Sequence, residues 1–105
     1  GLYANIEFSP YQIETIIRCA EAGYDTTELS KEYYNWSQIN EIYIGLQQRV
    51  NVSLFADRKF DSSQMRQIRL GLIRKLDVSQ YLDENIMSAE MAKIRKRLEK
   101  EKKRR

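Results

Sequence analysis

The side chains with the clearest chemical potential are the lysines and arginines near the end of the sequence. Residues 93–105 contain nine basic and two acidic residues, a net charge of +7, whereas residues 1–92 contain nine basic and thirteen acidic residues, a net charge of −4. Such a cluster can neutralise phosphates, and each contact adds salt-dependent affinity that does not depend on base sequence. The alternative is a solvated helix end, where cations interact with the helix dipole and with nearby glutamates. The candidate phosphate contacts are Lys93, Lys96, Arg97, Lys100, Lys103 and Arg104.

Three aromatic residues form a second set of candidates. Tyr33, Trp36 and Tyr43 stand at positions where the related stretches of the sequence carry polar or charged residues or a proline. Aromatic side chains exposed together are typical of protein contacts, so the sequence predicts a partner-binding patch here. The alternative is that preceding residues or a bulky local junction bury these rings.

The composition disfavours an enzyme. The chain has no histidine, which removes the usual general base and the commonest metal ligand. Its single cysteine, Cys19, lies among small residues of a predicted helix, and we expect a buried structural thiol rather than a reactive one. No glycine-rich phosphate loop and no cysteine cluster occurs. We therefore predict a non-catalytic protein without catalytic residues, cofactor or metal.

The elements that position these residues recur every 26 residues, a spacing that we call the repeat period. The stretch Phe60–Leu82 aligns with Tyr34–Ala56 and with Phe8–Ser30 without a gap. A fixed period of this size is typical of stacked structural repeats. The sequence predicts a single domain, 1–105, made of a remnant of a preceding repeat (1–7), unit 1 (8–33), unit 2 (34–59), unit 3 (60–85), and a half-repeat with a basic capping helix (86–105).

Each unit is predicted to contain a long helix, a tight turn and a short helix. Asp61 followed by Gln64 is a capping-box spacing that recurs at Asn35/Gln38 and Ser9/Gln12. The small residues Cys19, Gly45 and Gly71 predict a close crossing between helices, and Asn51 and Asp77 can cap a short helix of one to two turns. The predicted fold class is all-α, a right-handed or irregular solenoid-like stack whose longer C-terminal capping helix runs to about residue 103.

The ends of the sequence predict its setting. Residues 1–7 align with the second half of a unit, which favours a protein extending further toward the N-terminus; the alternative is a natural start at a degenerate half-repeat. No apolar run approaches membrane-spanning length and no secretory leader opens the chain. We predict a cytoplasmic location with no membrane contact, and the sequence leaves the oligomeric state open.

The third unit, with QMRQIRLGL followed by LDVSQYL, resembles a tandem helical repeat family of large proteins encoded on mobile genetic elements of clostridial-type bacteria. The resemblance covers Phe8–Leu98 and is weakest in unit 1, where Cys19, Ala20 and Tyr24 depart from the pattern. It implies a setting in conjugative or phage-like DNA biology and carries over no catalytic or binding residues. The predicted function is a helical-repeat protein-interaction module at the C-terminal end of a longer protein; the alternative is an auxiliary, non-specific nucleic-acid-binding segment acting through the basic tail.

Overall fold

The computed structural model describes residues 9–30 and 34–104, which form α-helices joined by short 3₁₀ turns. The helices are α1 (Pro10–Glu21), α2 (Trp36–Gln47), α3 (Ser62–Ile73) and α4 (Ser88–Lys103). A 3₁₀ turn follows each of the first three helices, at Glu28–Ser30, Val52–Leu54 and Val78–Gln80. No β-strand occurs in the described residues, so the predicted all-α class is confirmed. The predicted remnant at 1–7 and Tyr33 lie outside the described residues.

The starts of α2 and α3 are fixed by the predicted capping boxes. The side chains of Asn35 and Asp61 each accept a hydrogen bond from the backbone amide three residues later. The glutamine side chains at those later positions, Gln38 and Gln64, accept from the cap amides in return. α4 begins differently, because Met87 stands at the cap position and makes no side-chain cap bond.

The first three helices end in one type of turn. In each, a residue with positive φ follows the helix: Gly23 at 84°, Arg49 at 60° and Lys75 at 58°. This left-handed conformation and the accompanying bonds define a Schellman motif, which satisfies the last carbonyls of a helix. The bonds run from the Tyr24, Val50 and Leu76 amides to the Cys19, Gly45 and Gly71 carbonyls, at 2.9–3.1 Å.

Gly45 and Gly71 are buried against the second half of their own unit. A Cβ atom on Gly45 would lie 2.8 Å from Val52 Cγ1 and 2.9 Å from Phe55 Cζ. A Cβ atom on Gly71 would collide with the hydroxyl of Tyr81. The prediction that these glycines mark a crossing between long helices is therefore wrong, because the close approach lies between each long helix and the turn that follows it.

The second element of each unit is a single 3₁₀ turn, at the short limit of the prediction. Asn51 and Asp77 cap these turns, each accepting a bond of 3.3 Å from the backbone amide two residues later. The residue after each later turn, Phe55 or Tyr81, is fully buried and fills the space that the glycine leaves. Unit 1 has Leu29 at this position, opposite the bulkier Cys19, and both are fully buried.

The helices pack in sequence order, α1 on α2, α2 on α3 and α3 on α4. The described core contains residues from all four helices and from the 3₁₀ turns, and the molecule measures 56 × 29 × 16 Å along its principal axes. Among residues 9–30 and 34–104, one face of α1 and one face of α4 have no helical neighbour. Those two faces are candidate interaction surfaces.

Candidate interaction surfaces

The six candidate phosphate contacts are all exposed and share one face of α4. Their spacing of three and four residues places them within about a third of the helix circumference and along about 16 Å of its axis. The buried residues Met91 and Leu98 lie on the opposite side. The exposed basic residues are Lys93, Lys96, Arg97, Lys100, Lys103 and Arg104, which we call the basic face.

Few of these cations are strongly paired. Arg97 donates to Gln80 Oε1 at 3.0 Å and lies 3.8 Å from Glu101, and Lys93 lies 4.0 Å from Glu90. Exposed pairs of this kind contribute between 0 and about 1 kcal/mol and are screened by salt. The cations are therefore available to an anionic ligand. Lys102 differs from them, since its ammonium donates to the backbone carbonyl of Arg74 at 2.6 Å.

The basic face occupies the position that α2 and α3 use to contact the next helix. On α2, Glu41 accepts a bond of 2.8 Å from Arg69 of α3. On α3, Gln67 accepts a bond of 2.9 Å from Arg95 of α4. Lys93 follows Gln67 by one repeat period and so takes the same place on α4. A further helix packed here would meet a row of cations without acceptors, which is costly to bury.

The aromatic candidates separate in the structure. Trp36, at the first position of α2, is 68% exposed and is the chain's single tryptophan. Tyr43 is half-buried and packs against the core. Its position corresponds to Arg69 and Arg95, whose long side chains reach back to the preceding helix. Of these two residues, Trp36 therefore offers the larger exposed aromatic surface, and Tyr43 belongs mainly to the packing between helices.

Charged groups join the C-terminal halves of α3 and α4. The carboxylate of Glu99 accepts from Arg95 Nη1 at 2.6 Å and from Arg74 Nη1. Burial alone would raise the pKa of Glu99, but the hydrogen bonds and charges of Arg74 and Arg95 outweigh it and lower the pKa below its usual value. Arg95 is itself 8% exposed. This network fixes α4 on α3 and is structural in character.

A cleft of about 530 Å³ lies beside this network. This volume is typical of a small-molecule site. The walls of the cleft include Arg74, Glu99 and Lys102. However, Arg74 is bonded to Glu99 and Lys102 is bonded to a backbone carbonyl. With these charges already engaged, the cleft presents no convergent set of free polar groups that would fix a ligand.

The groups with reactive potential are buried in packing roles. Cys19 is fully buried, and burial raises the pKa of its thiol, which disfavours the thiolate needed of a nucleophile. Burial also raises the pKa of Tyr81 to about 12, and its hydroxyl donates to the Gln67 carbonyl at 2.8 Å. Neither group has the access or the protonation state that catalysis at neutral pH requires.

The glutamine column has a role that its capping function does not reveal. The Gln38 side-chain amide donates to the Phe60 carbonyl at 2.7 Å, and the Gln64 amide donates to the Glu84 and Ile86 carbonyls at 2.9 and 2.8 Å. Gln12 donates to the Leu29 carbonyl at 2.7 Å, within its own unit. The sequence contains one signal of this second role, which is that all three units have glutamine at this position. A capping box alone could have either glutamate or glutamine there.

The described residues offer neither a metal site nor a membrane-spanning helix. No group of three or more potential ligands among residues 9–30 and 34–104 is placed to hold a metal ion. In the same part of the chain, every helix is too short or too polar to traverse a lipid bilayer. No family model, curated protein or solved structure matches the chain.

Proposed function

We propose that the chain is a non-catalytic helical-repeat interaction module, built as a solenoid-like stack of long helix–turn–short helix units. The observation that carries the proposal is the pair of bonds from Gln38 to Phe60 and from Gln64 to Ile86, each of which ties one unit to the start of the next. The successive packing of α1 to α4 supports the same arrangement. Stacks of this kind offer extended surfaces rather than deep pockets, which suits binding of a macromolecule.

The stacked arrangement is tested by lengthening the chain by one unit. A second copy of residues 34–59 is inserted between Lys59 and Phe60, so that every junction keeps its register. We expect helical circular dichroism to rise in proportion to length and a single thermal transition at or above the original Tm. A shuffled insertion of the same length is the control. Loss of cooperativity in the duplicated chain, equal to that of the control, would contradict the stack.

Within this module, Trp36 is the proposed protein contact. A tryptophan at 68% exposure presents a large apolar surface to water, and such residues often dominate binding energy at interfaces. Tyr43 lies seven residues further along α2, about 10 Å along the helix axis, and is proposed as a flanking contact. Tyr33 completes the predicted patch but lies outside the described residues.

The contact is tested with Trp36→Ala and with Met87→Ala as its matched control. Met87 is 77% exposed, so its truncation removes comparable apolar surface elsewhere. Both variants should keep the circular dichroism spectrum and Tm. In affinity capture from cells that encode the protein, Trp36→Ala should lose a protein that the native chain and Met87→Ala retain, and that protein should blue-shift Trp36 fluorescence in the native chain. Identical captured proteins for both variants would exclude Trp36.

A second candidate function is non-specific binding of nucleic acid by α4. The observation that favours it is the placement of six basic residues on one exposed face, opposite the buried side of the helix. Cations in a row along about 16 Å of helix can contact successive phosphates of one backbone. The alternative remains a solvated helix end, since Lys100, Lys102 and Lys103 also lie in the last turn, where the helix dipole favours cations.

This function is tested by titrating duplex DNA with the native chain and with Lys93→Gln/Lys100→Gln at several salt concentrations. Arg18→Gln/Arg66→Gln is the control, because it removes two exposed cations from α1 and α3. Each lost phosphate contact should reduce the slope of log K against log salt by about 1. Absence of binding by the native chain at low salt, or equal losses in both variants, would contradict the assignment.

A further inference from the structure

The outer face of α1 exposes apolar residues at positions that the other helices bury. Ile13 is 46% exposed, whereas Ile39, Met65 and Met91, which follow it at successive repeat periods, are 0% exposed. Ile17 is 51% exposed, and its counterparts on α3 and α4 are the buried junction arginines. Apolar residues at one position of the repeat are therefore exposed on α1 and buried on α2, α3 and α4, each of which packs against a preceding helix.

The direction of this face is known from the buried arginines. Arg69 on α3 contacts Glu41 on α2, and Arg95 on α4 contacts Gln67 on α3, so this face of each helix looks toward the preceding helix. Within residues 9–30 and 34–104, no long helix precedes α1. Four residues, Ile13, Ile16, Ile17 and Ala20, make up this apolar stripe, and we call it the α1 outer face.

We propose that the α1 outer face binds the long helix of a further unit of the same repeat. The proposal rests on the stacked arrangement given under Proposed function, and the new site is continuous with the existing series, because α2, α3 and α4 each receive their neighbour on this same face. A second copy of this chain stacked head to tail is a poor occupant. It would set Ile13 and Ile17 against the lysines of the basic face, which would be buried without acceptors.

The chemistry of α1 also specifies the occupant. The helix that receives Arg69 presents a carboxylate, Glu41, but Ile17 carries no charge, and a carboxylate opposite it would lose its hydration without a partner. The fitting helix therefore has an uncharged residue at the position of Glu41. α1 itself is such a helix, since Thr15 stands at the position of Glu41, and the uncharged Tyr43 of α2 stands at the position of Arg69.

The test inserts an additional unit between Glu7 and Phe8, which preserves the repeat period. The fitting insert is a copy of residues 8–33, and the matched control is a copy of residues 34–59, which brings Glu41 opposite Ile17. The fitting insert should raise Tm by about 5 °C or more and slow amide hydrogen exchange in the original α1 at least tenfold. The control insert should give a smaller change, and adding Ile17→Arg to it should restore the full effect.

Two outcomes would overturn the proposal. One is a fitting insert that forms its helix while exchange in the original α1 stays unchanged. The other is self-association of the native chain in sedimentation that Ile17→Arg abolishes, because the face would then belong to a homodimer. If the insertion between Lys59 and Phe60 fails, the stacked arrangement itself is contradicted. If that insertion succeeds and the one between Glu7 and Phe8 fails, only the α1 site is contradicted.

Discussion

Within the described part of the chain, α1 and α4 each have a face without a helical neighbour, and the two faces differ in chemistry. α1 exposes an apolar stripe that includes Ile13 and Ile17, and α4 exposes a row of lysines and arginines. The α1 stripe corresponds to the face with which α3 receives α2, and the α4 row corresponds to the face with which α3 receives α4. The same helix position therefore carries different chemistry according to whether a partner covers it.

In the stack that we propose, this difference gives a series of similar units two unlike ends. Cations without acceptors prevent further packing on α4, while apolar residues on α1 gain free energy from being covered. We therefore expect the α4 end to attract anions rather than a further helix, and the α1 end to receive a helix. The predictions below test this contrast by changing residues at equivalent positions.

The largest expected effect is the difference in stability loss between Ile39→Asp and Ile13→Asp. Ile39→Asp places a carboxylate at a fully buried position and should cost several kcal/mol, enough to unfold most of the chain. Ile13→Asp occupies the equivalent position on α1, where the side chain is half-exposed, and should cost less than about 1 kcal/mol. Urea unfolding followed by circular dichroism measures both. Equal losses would mean that α1 is buried in solution, which would erase the contrast.

Gly71→Ala is expected to have the next largest effect. The new Cβ collides with the Tyr81 hydroxyl, and overpacking of this kind costs about 1–3 kcal/mol. Arg97→Ala, in the same column at the α4 end, changes an exposed residue and should stay within about 0.5 kcal/mol. Tyr81→Phe in the Gly71→Ala background should recover part of the loss. A double-mutant cycle without coupling would contradict the proposed contact.

The Glu99 network should make the α4 end sensitive to acid. Because the pKa of Glu99 is lowered in the folded chain, its stabilisation is complete above the ordinary value of 4.5 and is lost as pH falls through the folded pKa. Glu99→Gln should cost about 1 kcal/mol at neutral pH and little at acidic pH. Denaturant unfolding across this range measures the change. A constant difference between variant and native chain at all pH values would argue against the network.

Met87→Asp is expected to give a small gain. Asn35 and Asp61 cap α2 and α3, whereas Met87 at the same position makes no side-chain cap bond. A cap at this site should raise stability by about 1 kcal/mol, measured as an increased denaturation midpoint. Met87→Ala serves as the control for loss of the exposed side chain. If both variants raised the denaturation midpoint, the gain would come from loss of the exposed methionine side chain and not from a new cap.

Features set by neighbouring residues could be predicted from the sequence. The capping boxes at α2 and α3 and the end of α4 at Lys103 agree with expectation, because each depends on side chains a few residues apart. A tight turn after the long helix of each unit is likewise predicted by the sequence. The left-handed residues of these turns are not, since Arg49 and Lys75 give no sign of positive φ, which usually favours glycine.

Features set by distant residues were harder to predict. Gly45 and Gly71 indicate that another group comes close, but a missing side chain does not identify which group, and the Phe55 and Tyr81 rings proved to be the partners. The site candidates show the same limit. Trp36 is exposed and its role as a partner contact stays a prediction, whereas the half-burial of Tyr43 follows from its place in a junction that only the fold defines.

The burial of Tyr81 against Gly71 should be detectable by absorbance spectroscopy. The phenol of Tyr81 lies fully inside the third unit, and burial raises its pKa from 10.0 to about 12 despite the nearby Arg95. The fold therefore loses stability as pH rises above 10, because the unfolded chain releases the Tyr81 proton more readily than the folded chain does. Ultraviolet absorbance at alkaline pH should therefore record a delayed ionisation of Tyr81, which reports when the third unit opens.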